Sequence, residues 1–450
     1  MLRAAAKRLE AQELIRAAAA VLVIVAPASA SAPASDPASA VAQTPAATPV
    51  AGGTVVADPA VRTRAEALVP LLAGKPGYDA LFAPAFKQAV PQARLDPLMQ
   101  QLRAAMGQPR TIERFAPLGL WAAEVVVGYD RGSATMRLML APTAPHAIAG
   151  LLVTGTAIRG DTAAKVQADI AALPGTARIG VYPLDGGEPV IDVGGDAPAP
   201  LGSAFKLWVL AEAARQVAAG TLRWDDVVPV GTPSLPSGIL QGWPAGAPVT
   251  IQTLATLMIS ISDNTATDTL LMRLGRDRVD AMAARHGGSG PVLTTREAFV
   301  IKSDPVLVAA WARGDAGQRR ALLATQAQRI AGATIDPMMF SSGPVANDSV
   351  EWFASPRDMA RLLAALRDAG PVVRSILSIN HGVDPATAAR FDYVGFKGGS
   401  EPGVIALNLL AQARNGRWYA VCASWHRRDA PADEARFLPL VTRALALVAG

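Results

Sequence analysis

Cysteine and histidine are scarce in this chain of 450 residues. Cys422 is the only cysteine, so no disulfide can form within the chain and no cysteine-based zinc site is possible. The four histidines lie far apart and none has the spacing of a metal-binding pair. Nothing in the sequence assembles a Ser-His-Asp triad either. We therefore expect no metal and no cofactor, and a chemistry that rests on other side chains.

A strong excess of charge of one sign is also missing. The 42 basic residues are nearly matched by 37 acidic ones, and no Lys/Arg cluster resembles a nucleic-acid groove. Apolar residues make up 51% of the chain, so a large core can form and wholesale disorder is excluded. The length predicts two or three folded units. The charge pattern predicts no nucleic-acid partner.

No apolar run is long enough to span a bilayer as a helix. The longest near the N-terminus, Ala17 to Ala26, follows several basic residues and precedes small residues suited to cleavage. This pattern predicts a signal peptide over residues 1–32 and a protein exported to the periplasm or beyond. The alternative is an uncleaved membrane anchor. After cleavage we expect no stable membrane insertion.

Three further segments follow the predicted signal peptide. Residues 33–57 are rich in Ala and Pro and have almost no large apolar side chains, which predicts a disordered linker. Residues 58–157 combine helical periodicity over 61–72 and 92–106 with later strand-like runs, including a hairpin at Asp130-Arg131-Gly132. We expect a small α+β accessory domain there without a catalytic constellation of its own.

Residues 158–450 predict a second and larger domain. Strand-like runs occur near its beginning and its end, and a mostly helical stretch extends between them to about residue 370. Strands that are so far apart in sequence must assemble into one antiparallel sheet flanked by helices. The expected fold class is therefore α+β, with a three-layer part and an all-helical part.

A first chemical motif is Ser203-Ala204-Phe205-Lys206, which opens a very apolar helix. Residues three apart share one face of a helix, so Lys206 would lie beside the Ser203 hydroxyl. Burial lowers the pKa of a lysine, and a neutral amine can take the proton of a serine. The plainer interpretation is that Ser203 is an ordinary helix N-cap.

A second motif, Ser262-Asp263-Asn264, lies between two apolar helices. A polar triplet in such a place must be hydrogen-bonded, because burying unpaired polar groups is costly. It is either a capping turn or a second catalytic hydroxyl followed by an amide that orients substrate.

A third motif is Lys397-Gly398-Gly399-Ser400, at the end of a late strand. Paired glycines let another segment approach the backbone closely, and a lysine with a hydroxyl suits a carboxylate ligand. Taken alone, the motif is typical of an ordinary Gly-rich turn.

The three motifs, in this order and spacing, resemble those of class A β-lactamases and penicillin-binding proteins over roughly residues 160–450. The resemblance implies a β-lactamase-like fold for the domain that follows the accessory domain in the sequence. It implies that Ser203 attacks the substrate carbonyl with Lys206 as its proton partner, and that Ser262 passes a proton to the leaving nitrogen.

The same resemblance implies a substrate-binding set, which comprises Asn264, Lys397, Gly399 and Ser400. The oxyanion hole would be formed by the backbone N–H groups of Ser203 and Ser400. The expected partner is a small molecule, either a β-lactam or an acyl-D-Ala-D-Ala-like substrate, and the expected state is a monomer.

The sequence departs from the family where the acyl-enzyme must be hydrolysed. The family's loop signature around its glutamate is absent, and only Glu297 and Glu351 lie between Asn264 and Lys397. Glu297 is near the expected place, so it is either the deacylation base or an exposed or Arg-paired loop carboxylate. Gly398 also replaces the usual hydroxyl residue.

Three functions therefore stay open at this point. The chain could be a β-lactamase with efficient turnover, or a related esterase or D,D-peptidase that turns β-lactams over poorly. The third is a non-catalytic binding module that kept the fold, which the intact pair of Ser203 and Lys206 argues against.

Overall fold

The computed structural model describes residues 56–336 and 343–449. The chain divides into two compact units after Gly160, slightly beyond the predicted boundary at residue 157, because a strand extends to Ile158. The predicted signal peptide and residues 33–55 of the predicted linker lie outside the described residues, so both stay predictions. No helix in the described ranges has the length and apolarity needed to cross a membrane.

The first unit begins with four helices, α1 Pro59–Leu72, α2 Tyr78–Leu81, α3 Pro84–Ala89 and α4 Gln92–Met106. The Asp58 side chain caps α1 by accepting a hydrogen bond from the Ala60 N–H at 2.9 Å. Helix α4 buries Leu95, Met99, Leu102 and Met106, the stripe whose spacing predicted it.

A four-stranded antiparallel meander completes this unit, with strands β1 Pro109–Gly119, β2 Ala122–Tyr129, β3 Gly132–Leu140 and β4 Ile148–Ile158. The predicted hairpin at Asp130-Arg131-Gly132 is confirmed, since Tyr129 pairs with Gly132. Strand β1 was not predicted. It is an edge strand that contains Pro109 and Pro117, and prolines at an edge weaken the strand pattern in sequence.

The second unit contains a five-stranded antiparallel sheet in the order β11-β12-β13-β5-β6. Its strands are β5 Thr176–Pro183, β6 Ile191–Val193, β11 Phe391–Glu401, β12 Val404–Ala413 and β13 Trp418–His426. The prediction that distant segments form one sheet is confirmed. The fold class is α+β, as expected.

Two short strand pairs and thirteen α-helices of the second unit accompany this sheet among the described residues. The strand pairs are β7 Ala199–Pro200 with β10 Phe353–Ala354, and β8 Val227–Pro229 with β9 Pro248–Thr250. The helices are α5 Ala163–Ala171, α6 Lys206–Ala218, α7 Ile251–Ser260, α8 Asn264–Leu274, α9 Arg276–Arg285, α10 Thr295–Lys302, α11 Pro305–Arg313, α12 Ala316–Thr325, α13 Ala327–Gly332, α14 Pro356–Asp368, α15 Pro371–Leu377, α16 Pro385–Ala388 and α17 Glu434–Ala446, of which α16 is a single turn.

Helices cover both faces of the five-stranded sheet. On one face, Leu407 and Leu409 belong to the core that includes Phe437 of α17 and Ile170 of α5. On the other face, Leu410 and Cys422 join the core of the helical part. Cys422 on β13 is buried, and this burial raises the pKa of its thiol. The three-layer arrangement follows from strands that are apolar on both faces.

Candidate active site

Ser203 lies in a short 3-10 turn, Gly202–Phe205, that leads directly into α6. The side chain of Ser203 is not a cap for that helix, whose N-cap residue is Phe205 and has no side-chain hydrogen bond. The N-cap interpretation is therefore wrong for this serine. Its side chain is partly exposed at the surface of the second unit, while its neighbours Gly202 and Ala204 are buried. The turn thus presents one hydroxyl from an otherwise buried segment.

Residues 351–354 hold this turn in place. Strand β7 pairs with β10 just before the turn, and the Leu201 N–H donates to the Trp352 carbonyl at 2.8 Å. The Trp352 ring stacks on Phe205 with centroids 4.0 Å apart and nearly parallel planes. The turn is therefore fixed by backbone pairing on one side and by aromatic packing on the other.

Lys206 is fully buried at the start of α6, as its apolar surroundings predicted. Its ammonium donates to the Ser262 carbonyl at 2.7 Å, to Ser262 Oγ at 3.1 Å and to Asn264 Oδ1 at 2.7 Å. Burial, and then repulsion by Lys397, hold the pKa of Lys206 well below the ordinary lysine value. A neutral Lys206 has only two N–H donors, so its lone pair becomes available to accept a proton.

Ser262 lies between two buried lysines. Its Oγ accepts from Lys206 Nζ at 3.1 Å and from Lys397 Nζ at 3.0 Å. The backbone of Ser262 is left-handed, with φ of 58°, a conformation that costs energy for a residue with a side chain. This backbone turns the hydroxyl and the carbonyl of one residue toward the same lysine. The arrangement can carry a proton between two amines through one hydroxyl.

The other two residues of the second motif have separate tasks. Asp263 is the N-cap of α8 and accepts from the Ala266 N–H at 2.8 Å, so the capping interpretation is confirmed for this residue. The Asn264 side chain accepts from Lys206 and donates to the Leu235 carbonyl at 3.1 Å. Asn264 therefore anchors the lysine, while its predicted contact with substrate stays a prediction.

Lys397 is buried on β11, and the third motif lies within this strand because β11 continues to Glu401. The turn interpretation of the motif is therefore wrong. Besides Ser262, the ammonium donates to the Gly398 carbonyl at 2.5 Å. Burial lowers the pKa of Lys397 to about 7. The charge of this lysine can therefore change near neutral pH.

Gly399 brings β11 against the serine turn. A methyl group built on Gly399 would lie 2.2 Å from the Leu201 carbonyl and 2.4 Å from the Ser203 nitrogen. One built on Gly202 would lie 3.1 Å from the Ser400 nitrogen. The backbone N–H groups of Ser203 and Ser400, predicted to form the oxyanion hole, are thus carried by two segments in direct contact. Gly399 makes this approach possible, and the neighbouring Ser400 side chain is exposed.

Glu297 has both carboxylate oxygens engaged. Oε1 accepts from Arg276 at 2.7 Å, and Oε2 accepts from the Thr294 N–H at 2.7 Å. Thr294 and Glu297 form a capping box at the start of α10, and the Glu297 side chain is 13% exposed. These contacts correspond to the Arg-paired alternative. No hydrogen bond joins Glu297 to Ser203, Lys206 or Ser262 in the part of the chain that the structure describes.

Sequence reasoning missed the contacts of two acidic residues near the site. Asp268 on α8 is buried and accepts from the N–H groups of Thr295 and Arg296, and its charge favours the protonated form of Lys206. Its signal was available, because it follows Asn264 by one helical turn. Glu351 accepts from the Gly202 N–H at 3.1 Å, and no local sequence pattern predicts this contact.

The assembled groups suit acyl transfer. A partly exposed hydroxyl, two buried amines of lowered pKa, a bridging hydroxyl and two adjacent backbone N–H donors are the parts that such a reaction needs. Within residues 56–336 and 343–449, no group of three or more acidic, histidine or cysteine side chains is arranged to hold a metal.

Comparison with known proteins gives a family match. Residues 161–379 match the Beta-lactamase enzyme family. No curated protein matches the chain at a significant level. Among solved structures, a β-lactamase from Sphaerobacter thermophilus DSM 20745 is 20% identical, with 63% of this chain and 95% of that chain covered and a TM-score of 0.44.

Two further solved structures are similar at the same level. A β-lactamase from Chitinophaga pinensis DSM 2588 is 17% identical, with coverage of 63% and 96% and a TM-score of 0.42. A PBP-A variant, described as an acyl-enzyme complex with penicillin G, is 19% identical, with coverage of 63% and 95% and a TM-score of 0.42. The family match lies within the second unit, so residues 161–379 of this chain are similar to the Beta-lactamase enzyme family.

Proposed function

We propose that this protein is an exported serine hydrolase that opens the amide bond of a β-lactam through an acyl-enzyme on Ser203. The observation that carries the proposal is the position of Ser262 Oγ, within 3.1 Å of two buried lysine amines of lowered pKa. A single hydrogen bond would stabilise the fold as well as this pair of lysine contacts does. A hydroxyl between two amines can, however, pass a proton from a serine nucleophile to a leaving group.

The proposed reaction has two halves. Neutral Lys206 takes the proton of Ser203 as Oγ attacks the lactam carbonyl, and the N–H groups of Ser203 and Ser400 stabilise the oxyanion. The proton then passes through Ser262 to the lactam nitrogen as the C–N bond breaks, which leaves an ester on Ser203. Water hydrolyses this ester, releasing the ring-opened acid and restoring the hydroxyl.

A second candidate is a related esterase or D,D-peptidase that acylates readily but turns β-lactams over slowly. The contacts of Glu297 favour it, because a carboxylate with both oxygens engaged is poorly placed to activate a water. The acylating groups are the same in both candidates. They differ in the lifetime of the acyl-enzyme.

The decisive experiment measures intact mass after mixing with benzylpenicillin, together with hydrolysis of a chromogenic cephalosporin. We expect an adduct of the penicillin mass on the wild-type chain and none on Ser203→Ala, whose hydrolysis rate should fall to background. A transient adduct supports the β-lactamase, and a lasting one supports the second candidate. Hydrolysis that survives Ser203→Ala, or a wild-type chain without adduct or hydrolysis, contradicts the acyl-enzyme proposal.

Export is part of the proposal and rests on the N-terminal pattern alone. Its test is to express the full chain in a Gram-negative host and to determine the N-terminus of the product in each cell fraction. We expect a periplasmic product that begins close to residue 32. A cytoplasmic product with an intact N-terminus would contradict export.

A further inference from the structure

A buried ionic cluster lies behind the serine turn and has no role in the proposed proton transfer. It consists of Lys302 at the end of α10, Glu351 just before β10 and Glu401 at the end of β11. The Lys302 and Glu351 side chains are 1% and 0% exposed, and that of Glu401 is 11% exposed. Lys302 Nζ donates to both oxygens of Glu401, at 2.6 Å to Oε1, and lies 3.5 Å from Glu351 Oε2.

Each carboxylate of this cluster is tied to one of the two segments that carry the candidate oxyanion donors. Glu351 Oε1 accepts from the Gly202 N–H at 3.1 Å, one residue before Ser203. Glu401 directly follows Ser400 in β11. Lys302 therefore connects, through two side chains, the residues next to both backbone N–H groups.

Burying three ionisable groups is costly, so the cluster is a poor device for stability alone. Two carboxylates and one ammonium cannot all be charged there without an unbalanced negative charge. Burial first, and then repulsion by Glu401, raise the pKa of Glu351 well above its ordinary value. A neutral Glu351 beside a charged pair of Lys302 and Glu401 balances the cluster, and its Oε1 still accepts from Gly202.

We propose that Lys302, Glu351 and Glu401 form a clamp that sets the distance between the N–H groups of Ser203 and Ser400, and so positions the oxyanion hole. The three are positioning residues, because they act through Gly202 and Ser400. The inference rests on the proposed function, since an oxyanion hole matters only if Ser203 is acylated. It adds a structural requirement for that reaction which the three sequence motifs do not contain.

The first test distinguishes the loss of the hydrogen-bond acceptor at position 351 from the loss of the ionisable carboxyl group. Glu351→Gln keeps a carbonyl oxygen for the Gly202 N–H, whereas Glu351→Leu removes it. We expect Glu351→Leu to lower kcat for a chromogenic cephalosporin by about 10- to 100-fold with little change in KM, because misplacement by about 1 Å costs about that much. Glu351→Gln should recover most of the loss.

The second test removes the ammonium group of Lys302, which connects Glu351 with Glu401. Lys302→Met leaves Glu401 without its cation and should lower kcat, and the double variant Lys302→Met with Glu401→Gln should recover part of it. The control is Asp161→Asn, which weakens a half-buried ion pair of the same unit, that of Asp161 with Arg443 at 2.7 Å. This control should lower the melting temperature and leave kcat per folded molecule unchanged.

A transition-state analogue gives a readout that a purely structural role would not move. Phenylboronic acid forms a tetrahedral adduct with a serine, so its inhibition constant should rise in parallel with the loss of kcat/KM in Glu351→Leu and Lys302→Met. Hydrogen exchange at the Gly202 amide should accelerate in Glu351→Leu and stay slow in Asp161→Asn, whatever the substrate.

The outcomes are distinct. If Glu351→Leu behaves like Asp161→Asn, with lower stability but unchanged kcat, boronate affinity and Gly202 exchange, the clamp is refuted while the acyl-enzyme proposal stands. If the wild-type chain neither forms a penicillin adduct nor hydrolyses the cephalosporin, the proposed function fails and the catalytic role of the clamp fails with it. Parallel losses of kcat and boronate affinity with recovery in Glu351→Gln support both.

Discussion

At the scale of single residues, Ser262 connects the two buried lysines of the site. Its left-handed backbone, with φ of 58°, is unusual for a residue with a Cβ atom. The strain is tolerated because the carbonyl and the hydroxyl both accept from Lys206, while the hydroxyl also accepts from Lys397. Strained residues of this kind are concentrated at functional sites.

The charge of Lys397 predicts how activity depends on pH. Because the pKa of this lysine is lowered to about 7, its ammonium is present below neutral pH and lost as pH rises through that value. We expect kcat/KM for benzylpenicillin, which carries a carboxylate, to fall as pH rises above about 7. An ester without a carboxylate should lack this alkaline limb.

Lys397→Arg is the matching variant for this pH profile. A guanidinium stays charged across the accessible range, so the alkaline limb for benzylpenicillin should disappear or move to higher pH. The measurement is the pH profile of kcat/KM for both substrates with both proteins. An alkaline limb of equal size with the neutral ester would mean that Lys397 does not act through a substrate carboxylate.

Glu297 gives a second prediction at this scale. Since its oxygens bind Arg276 and the Thr294 N–H, we expect Glu297→Gln to lower the free energy of unfolding by about 1.5–3 kcal/mol, the usual range for hydrogen bonds to charged groups. The lifetime of the penicillin adduct should stay close to that of the wild type, as measured by intact mass over time.

Arg276→Gln is the control for Glu297→Gln. It breaks the same ion pair from the other side, so the two variants should lose similar stability, and the double variant should lose less than their sum. A much longer-lived adduct in Glu297→Gln but not in Arg276→Gln would instead identify Glu297 as the deacylation base.

At the scale of elements, the contact between β11 and the serine turn decides the geometry of the site. The absence of a side chain at Gly399 lets the two segments approach this closely. The strand supplies the Ser400 N–H, and the 3-10 turn supplies the Ser203 N–H together with the nucleophile. The oxyanion hole therefore depends on packing between two elements as well as on the identity of its residues.

Gly399→Ala tests this contact. The added methyl would lie 2.2 Å from the Leu201 carbonyl, so the strand and the turn must separate. We expect a loss of about 1–3 kcal/mol in the free energy of unfolding, typical of overpacking, and a fall in kcat of about 100-fold or more. Denaturant unfolding and hydrolysis of the cephalosporin measure the two effects.

Gly332→Ala is a suitable control for Gly399→Ala. Gly332 ends α13, and a methyl built there meets no atom within 4 Å. It should leave stability and kcat near the wild-type values. Wild-type kcat in Gly399→Ala would show that the close approach is dispensable.

The sequence predicted most of the elements because their signals are local. The helix that starts at Pro59 and the one that ends at Met106 follow from apolar periodicity, and the hairpin at Asp130-Arg131-Gly132 follows from its turn. Strand β1 was missed because prolines and charged residues interrupt its alternation. The capping box of Thr294 and Glu297 has the expected spacing of three residues, a local signal that the prediction did not use.

The catalytic groups were predictable because family spacing compensates for missing local information. Ser203, Lys206, Ser262 and Lys397 each carry an ambiguous signal alone, and their order made the set specific. The clamp could not be predicted, because Lys302 and Glu401 are 99 residues apart and nothing in either neighbourhood encodes the other. Only the fold brings the two side chains together.

At the scale of the whole molecule, each unit has its own hydrophobic core. The core of the first unit is built from residues between Val61 and Val153, and the cores of the second unit begin at Val166. All the groups proposed to take part in acyl transfer belong to the second unit. The first unit therefore supplies none of the reacting side chains.

A chain that begins at Gly160 should therefore fold and react. This start keeps Asp161, which pairs with Arg443, and Thr162, which caps α5. We expect cooperative thermal unfolding and a kcat/KM for the chromogenic cephalosporin within about threefold of the full chain, as is usual for a domain with its own core. Aggregation or a loss of activity greater than tenfold would mean that the first unit takes part in folding or in the site.

The buried thiol of Cys422 can report how often the five-stranded sheet opens. It lies in the central part of the five-stranded sheet, shielded on β13, and its burial keeps it in the unreactive protonated form. A thiol reagent can reach it only when that sheet opens, so the rate of modification counts openings of the unit that holds the active site. Because the chain has no second cysteine, every modified molecule records the same event.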